Sequence, residues 1–279
     1  MALEPVRLTV SDLDRSRVFY ERVLGLRVTA VDGEVLGVGA PGERTLIELR
    51  EDPAAPRLDQ RRCGLFHFAI LLPERRDLAA ALMRIVASGW ALSGASDHLV
   101  SEALYLDDPD GNGIEVYWDR PRAQWPHTPD GGLRMATLPL DLQALAGELR
   151  RSAPDGHAPP GTRIGHIHLQ VADLQAAEPF YRELLGLDVT VRGYPGALFL
   201  SEGGYHHHVG LNTWHSLGAD AAPVDGIGLR SFTMSLGSEP ALASVLSRLE
   251  QAGLPLEPGP DGAAALVRDP SGIAVALSV

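Results

Sequence analysis

Short apolar runs alternate along this chain with longer stretches in which apolar residues recur every third or fourth position. The alternation repeats four times. Each run of the first kind predicts a strand, and each stretch of the second kind predicts an amphipathic helix. The first copy reads VRLTVSDLDRSRVFYERVLGLRV, residues 6–28, and the third reads GHIHLQVADLQAAEPFYRELLGLDV, residues 165–189. Both carry V-x-D-L, then F-Y, then L-G-L at matching offsets. The second copy opens GLFHFAILLPERRDLAAALMRIVASG, residues 64–89, and the fourth opens GLRSFTMSLGSEPALASVLSRLEQAG, residues 228–253. These two close alike, in DPDGNGIEVYW and DPSGIAVALSV.

The local chemistry of each copy is readable. Asp12 and Asp173 stand where a helix N-cap belongs, just after the strand. Tyr20 and Tyr181 fall on the apolar helix face, and Gly25 and Gly186 stand where a left-handed C-cap is needed. DPDG and DPSG are turn signals ahead of a final strand. Each copy therefore predicts a β-α-β-β-β module of about 50–60 residues. Between the second and third lies a proline- and glycine-rich segment, residues 119–163, with a helix predicted over 140–151 and Asp141 at its start. Two domains are expected, residues 1–118 and 164–279, joined by that segment.

Composition narrows the function classes. The 279 residues are 45% hydrophobic and 22% charged, which suits a folded globular protein with real cores. A formal net charge of -12 speaks against nucleic acid and anionic membrane surfaces as partners. The single cysteine, Cys63, allows no intrachain disulfide and fits a reducing cytoplasm; MALEPVRLTV does not read as a secretory signal. Cys63 itself is expected to be structural; Trp118, Trp125 and Trp214, near strand ends, have the shape for an aromatic pocket, but core packing is the preferred reading.

Candidate chemistry is split between the halves. His67, His98, Tyr105 and Glu115 lie in the first half, and His166 and His208 in the second. His67 and His166 hold the same place in their opening strands, seven residues ahead of the acids Glu74 and Asp173. His168 shares a strand face with His166. Glu115 sits in the closing strand of module two. Two histidines and one carboxylate form the ligand set of non-haem Fe(II) sites that leave positions open for substrate and O2. Module one has Pro5 at the ligand position, and module four has Ser231 and Ala276. Modules two and three must therefore pair to build such a site, within one chain or, as the alternative, between two chains. The run His206-His207-His208 inside YHHHVGLN reads as strand, with His206 and His208 on one face and His207 on the other.

The repeated module with its V-x-D-L, F-Y, L-G and DPDGNGIE elements resembles the vicinal oxygen chelate superfamily, which includes glyoxalase I, extradiol dioxygenases and bleomycin-resistance proteins. The resemblance covers the chain outside the connecting segment. It implies an α+β fold of four βαβββ modules paired into two eight-stranded half-barrel cups. The stretch from His98 to Glu115, DHLVSEALYLDDPDGNGIE with its flanks, resembles the extradiol dioxygenase signature. With GLFHFAILLP and GGYHHHVGLNTW it is similar to the four-module catechol 2,3-dioxygenase subgroup. That resemblance implies Fe(II), with Mn(II) also compatible, held by His67, Glu115 and His166. It implies His98 and Tyr105 as pocket groups and His208 as the acid–base residue, with His206 and His168 open as further lining groups. The implied partners are a small aromatic diol and O2; a homo-oligomer is compatible. Two other readings stand beside it, a glyoxalase-like metal-dependent isomerase or lyase and a metal-free small-molecule binder.

Overall fold

The computed structural model describes residues 1–129, 131–151 and 156–279, without the side chains of residues 150 and 151. The expected linker thus falls partly outside the described residues, at positions 130 and 152–155. Module one runs β1 (Val6–Val10), α1 (Leu13–Arg22), β2 (Arg27–Asp32), β3 (Val35–Gly39) and β4 (Ile47–Glu51). Module two runs β5 (Gly64–Leu72), α2 (Arg75–Ser88), β6 (Gly94–Asp97), β7 (Ser101–Asp107) and β8 (Gly113–Asp119). The connecting segment holds β9 (Leu138–Pro139) and α3 (Leu142–Gly147), the latter tightening into a 3-10 turn over Glu148–Arg151. Module three runs β10 (Arg163–Gln170), α4 (Leu174–Pro179), β11 (Asp188–Val191), β12 (Ala197–Ser201) and β13 (Val209–Asn212). Module four runs β14 (Gly228–Ser235), α5 (Glu239–Gln251), β15 (Ala265–Arg268) and β16 (Ala274–Ser278).

The helix signals act as the sequence predicts. Asp12 accepts a hydrogen bond from the Arg15 N–H and Asp173 one from Gln175, while Gly25 and Gly186 follow their helices at φ 75° and 85°. Asp141 caps α3 through the Ala144 N–H. Pro179 lacks an N–H, and the helix of module three widens there into a π turn over Phe180–Leu184.

The fold is α+β, with its modules paired into two curved sheets. Modules one and four form one, in the order β15-β16-β14-β1-β4-β3-β2. Modules two and three form the other, β11-β12-β13-β10-β5-β8-β7-β6, extended at its edge by β9. The expected eight strands thus become seven and nine. In module four the segment LPLEP, residues 254–258, would be the missing strand; Pro255 and Pro258 cannot donate to a ladder, and only the Glu257–Leu266 bridge survives. In the other sheet the connecting segment adds β9 to β6.

By Cα proximity the chain divides into two compact units. One comprises Val10–Ala54 and His67–Ile164; the other comprises Met1–Thr9, Ala55–Phe66 and Gly165–Val279. In the first, the Tyr20 hydroxyl donates to Asp108 Oδ2 at 3.1 Å, tying α1 of module one to the DPDG turn of module two. In the second, the Tyr181 hydroxyl donates to Asp269 Oδ2 at 2.9 Å, tying the helix of module three to the DPSG turn of module four. The F-Y and D-P motifs are thus the two ends of one latch, built twice. Both tyrosines are fully buried, and burial, followed by the facing aspartate charge, holds their hydroxyls well above the usual phenol range.

Candidate metal and proton-transfer site

In the unit that contains module two, the strand register assembles four of the sequence candidates. Parallel β5 and β8 pair Ala69 with Glu115, and antiparallel β7 and β8 pair Tyr105 with Glu115. His67 lies two residues before Ala69 and shares its face. The small side chains of Ala69 and Ala103 leave room beside these larger groups; with Leu71 and Tyr117 they form the buried cluster against which Tyr105 packs. His67 Nε2 stands 3.0 Å from Glu115 Oε2, and the two residues are only 6% and 3% exposed. A carboxylate this deep is costly unless a cation or strong donors compensate it.

Tyr105 and His98 continue the line. The ring centroids of His67 and Tyr105 are 5.6 Å apart, and the Tyr105 hydroxyl meets His98 Nε2 at 2.7 Å. His98 Nδ1 faces the Ala136 carbonyl at 2.8 Å. A carbonyl only accepts, so Nδ1 carries the proton; in the neutral ring Nε2 then accepts from the phenol. The phenol hydrogen is thereby directed at His98, and its oxygen lone pairs can receive a donor from elsewhere. Both residues are half-buried. Leu99 follows at φ 70°, an unusual conformation for its residue type, which turns the chain so that the His98 N–H donates to the Ser101 carbonyl.

In the other unit, β10 carries His166 and His168, 1% and 4% exposed. The histidine run does not continue β13, which begins only at Val209. Gly203 and Gly204, at φ 65° and 66°, make a turn that no alternating strand could contain. His206 and His207 consequently lie side by side, Nδ1 to Nδ1 at 2.8 Å, instead of on opposite faces. The His207 ring lies 4.1 Å from that of His166, and the His206 ring 5.9 Å from it. The His208 ring lies 4.9 Å from Tyr205, and its Nδ1 accepts the Glu202 N–H at 3.2 Å.

β10 and β13 are the same parallel pair as β5 and β8. His168 faces Gly210 as Ala69 faces Glu115, so Gly210 occupies the carboxylate position of module three. The His168 ring fills that space: a Cβ at Gly210 would lie 2.9 Å from His168 Cγ. The same comparison in module four pairs Thr233 with Ala276, which puts Ser231 and Ala276 where module two has His67 and Glu115.

Known proteins resemble this chain in sequence and fold. A family model of the Glyoxalase/Bleomycin resistance protein/Dioxygenase superfamily matches residues 2–116 and 163–277. A catechol-2,3-dioxygenase of Bacillus subtilis (strain 168) is 44% identical over 257 residues, spanning 90% of this chain and 88% of that protein. Among solved structures, glyoxalase I from Zea mays matches with a TM-score of 0.58 at 18% identity, over 99% of this chain and 91% of that one. The CppA protein from Streptococcus pneumoniae TIGR4 matches with a TM-score of 0.60 at 10% identity, over 99% of both chains. At such identities these two structures share the fold alone. Among the described residues no helix is long and apolar enough to cross a membrane.

Proposed function

Since the chain belongs to the Glyoxalase/Bleomycin resistance protein/Dioxygenase superfamily, we propose that it is an extradiol dioxygenase that opens the ring of a catechol with O2, using Fe(II) held by His67, Glu115 and His166. The observation that carries this reading is the donor set. The three side chains are buried, and each offers one ligand atom. Two ligand atoms about 2.1 Å from one ion, at right angles, stand about 3 Å apart; His67 Nε2 and Glu115 Oε2 are separated by 3.0 Å. Two imidazoles and one carboxylate suit Fe(II) or Mn(II) and leave coordination positions for other groups.

Gly210 bears on the competing isomerase reading. A second carboxylate would have to come from that position, and the His168 ring denies it a side chain. Three protein ligands suit a reaction in which a diol and O2 must both gain access.

A bound divalent ion would supply Lewis acidity and couple electron flow between diol and O2. The remaining work belongs to the protein. Tyr105, with its hydrogen directed at His98, presents its oxygen to a substrate hydroxyl and can pass a proton along the Tyr105–His98 bond. The acid–base role that the resemblance attaches to the histidine run at His208 is assigned in this proposal to His207. Its ring packs on His166, and its Nδ1 contact with His206 directs Nε2 away from that neighbour.

The test begins with anaerobic purification and metal analysis, followed by oxygen uptake with catechol. One iron or manganese per chain, and O2 consumption matched to ring-opened product, are expected. Isomerase activity without O2 uptake would overturn the reading. His207→Phe is expected to keep the metal and lose about 10²–10⁴-fold in kcat, the usual worth of a positioned proton donor. His208→Phe should stay within a few-fold of the parent; the reverse outcome returns the role to His208.

A further inference from the structure

Beyond the metal ligands, one aromatic cluster is built around a buried imidazole. The His168 ring is flanked by Phe66 at 5.1 Å, Trp214 at 5.4 Å and Phe199 at 5.7 Å, and Phe66 also meets Trp214 edge-on at 5.2 Å. Phe199 in turn lies 4.9 Å from His207, which packs on His166. The cluster therefore runs unbroken from a proposed metal ligand outward to Trp214. His168 is 4% exposed, whereas Trp214 is 41% exposed. A large indole left two-fifths in solvent at the end of such a series is not core packing.

Trp214 is also held in place. Its Nε1–H donates to the Pro195 carbonyl at 2.9 Å and its backbone N–H to Asn212 Oδ1 at 3.1 Å. The Gly196 backbone lies so close that a Cβ there would stand 3.0 Å from the indole Cδ1. A fixed ring with an exposed face is a preorganised apolar surface, which costs little side-chain entropy when it meets a ligand.

We propose that Trp214, with Phe66 and Phe199 behind it, forms the wall that receives the ring substituent of the substrate, and that the substrate is accordingly a catechol bearing an apolar alkyl or aryl group. This rests on the extradiol reading above. Trp214, Phe66 and Phe199 offer edge and face contacts and carry no charge themselves, and the His168 ring behind them is buried, so the wall favours an apolar substituent over a carboxylated one. Trp214 touches the substituent, not the reacting oxygens, and acts on specificity.

The experiment measures kcat/KM of the metal-loaded protein for unsubstituted, methyl- and phenyl-substituted catechols, in the parent, Trp214→Ala and Phe66→Leu. Anaerobic binding of the same catechols is followed by tryptophan fluorescence in the parent and Trp214→Phe. The expected result is a loss of at least tenfold in kcat/KM for the phenyl-substituted catechol in Trp214→Ala, with less than threefold change for catechol itself. A smaller effect of the same sign is expected in Phe66→Leu. Quenching by the phenyl-substituted compound should shrink in Trp214→Phe. Substrate ratios within twofold of the parent in both kinetic variants would overturn the assignment while leaving the extradiol reading intact. A parent that consumes no O2 with any catechol would overturn both.

Discussion

The strand pairs β5–β8 and β14–β16 are two copies of one construction, and only the first carries proposed ligands. In register, Ala69 faces Glu115 and Thr233 faces Ala276; two residues upstream stand His67 in one pair and Ser231 in the other. The backbones follow one plan, and the turn ahead of the closing strand is fastened by a buried tyrosine in both. The difference teaches that the module folds without the ligand residues. His67 and Glu115, the proposed ligands, stand on a scaffold that is built equally well without them, which is why one fold can host many activities.

The sharpest way to break this contrast is to remove the carboxylate from the equipped pair. Glu115→Ala should lose metal occupancy and more than ~100-fold of dioxygenase activity, since even residues that only support a metal ligand are worth 10–100-fold. The matching change in the other pair, Ser231→Ala, should leave metal content and turnover unaltered. Inductively coupled plasma mass spectrometry and oxygen uptake on the two variants decide the matter. Metal retained in Glu115→Ala would mean that Glu115 is a structural partner of His67 and nothing more.

A second comparison concerns what the pairs have in common. Tyr20→Phe and Tyr181→Phe each delete one buried hydrogen bond to an aspartate carboxyl and should each cost about 2 kcal/mol. Urea unfolding monitored by circular dichroism measures both. Equal costs support one latch used twice. A large cost at Tyr20 with none at Tyr181 would show that only the first unit depends on it.

The modules, their caps, the turns and the ligand candidates were all legible in the sequence, because each depends on short-range pattern. V-x-D-L places a cap, and strand offset alone puts His67 and His166 in equivalent places. The latch was not legible as a contact: both of its ends stood out as motifs, but 88 residues separate them in each case and neither motif names the other. The orientation of His98 escaped for another reason, since its partner at Ala136 is a backbone carbonyl with no side-chain signature. The histidine run misled because YHHHVGLN has strand composition, and the glycine pair before it, which fixes the turn, was the signal to weigh. Trp214 was read as core because exposure leaves no mark on local sequence.

The smallest expected effect separates the two latches from each other. Asp108 accepts three bonds besides that of Tyr20: the N–H groups of Asp110 and Asn112, and the Asn112 side-chain amide. Asp269 accepts the N–H groups of Ser271 and Ile273, and Ile273 has no amide to offer in place of Asn112. Burial raises both carboxyls, and it raises Asp269 to about 6 from 3.8. A carboxyl raised on folding favours the protonated fold. Its contribution is fully present below the unfolded value near 3.8 and is lost as pH rises through about 6, above which it no longer changes. Asp269→Asn removes the ionisation while keeping an oxygen for the two backbone donors. Between pH 4 and pH 7 its stability relative to the parent should therefore rise by about 2 kcal/mol, the parent carboxyl being raised by about two pKa units and each unit being worth about 1.4 kcal/mol. Asp108→Asn should show a shallower change, because the Asn112 amide already steadies the charged form there. Urea midpoints at four pH values suffice, and identical slopes in the two variants would mean that residue 112 makes no difference to the latch.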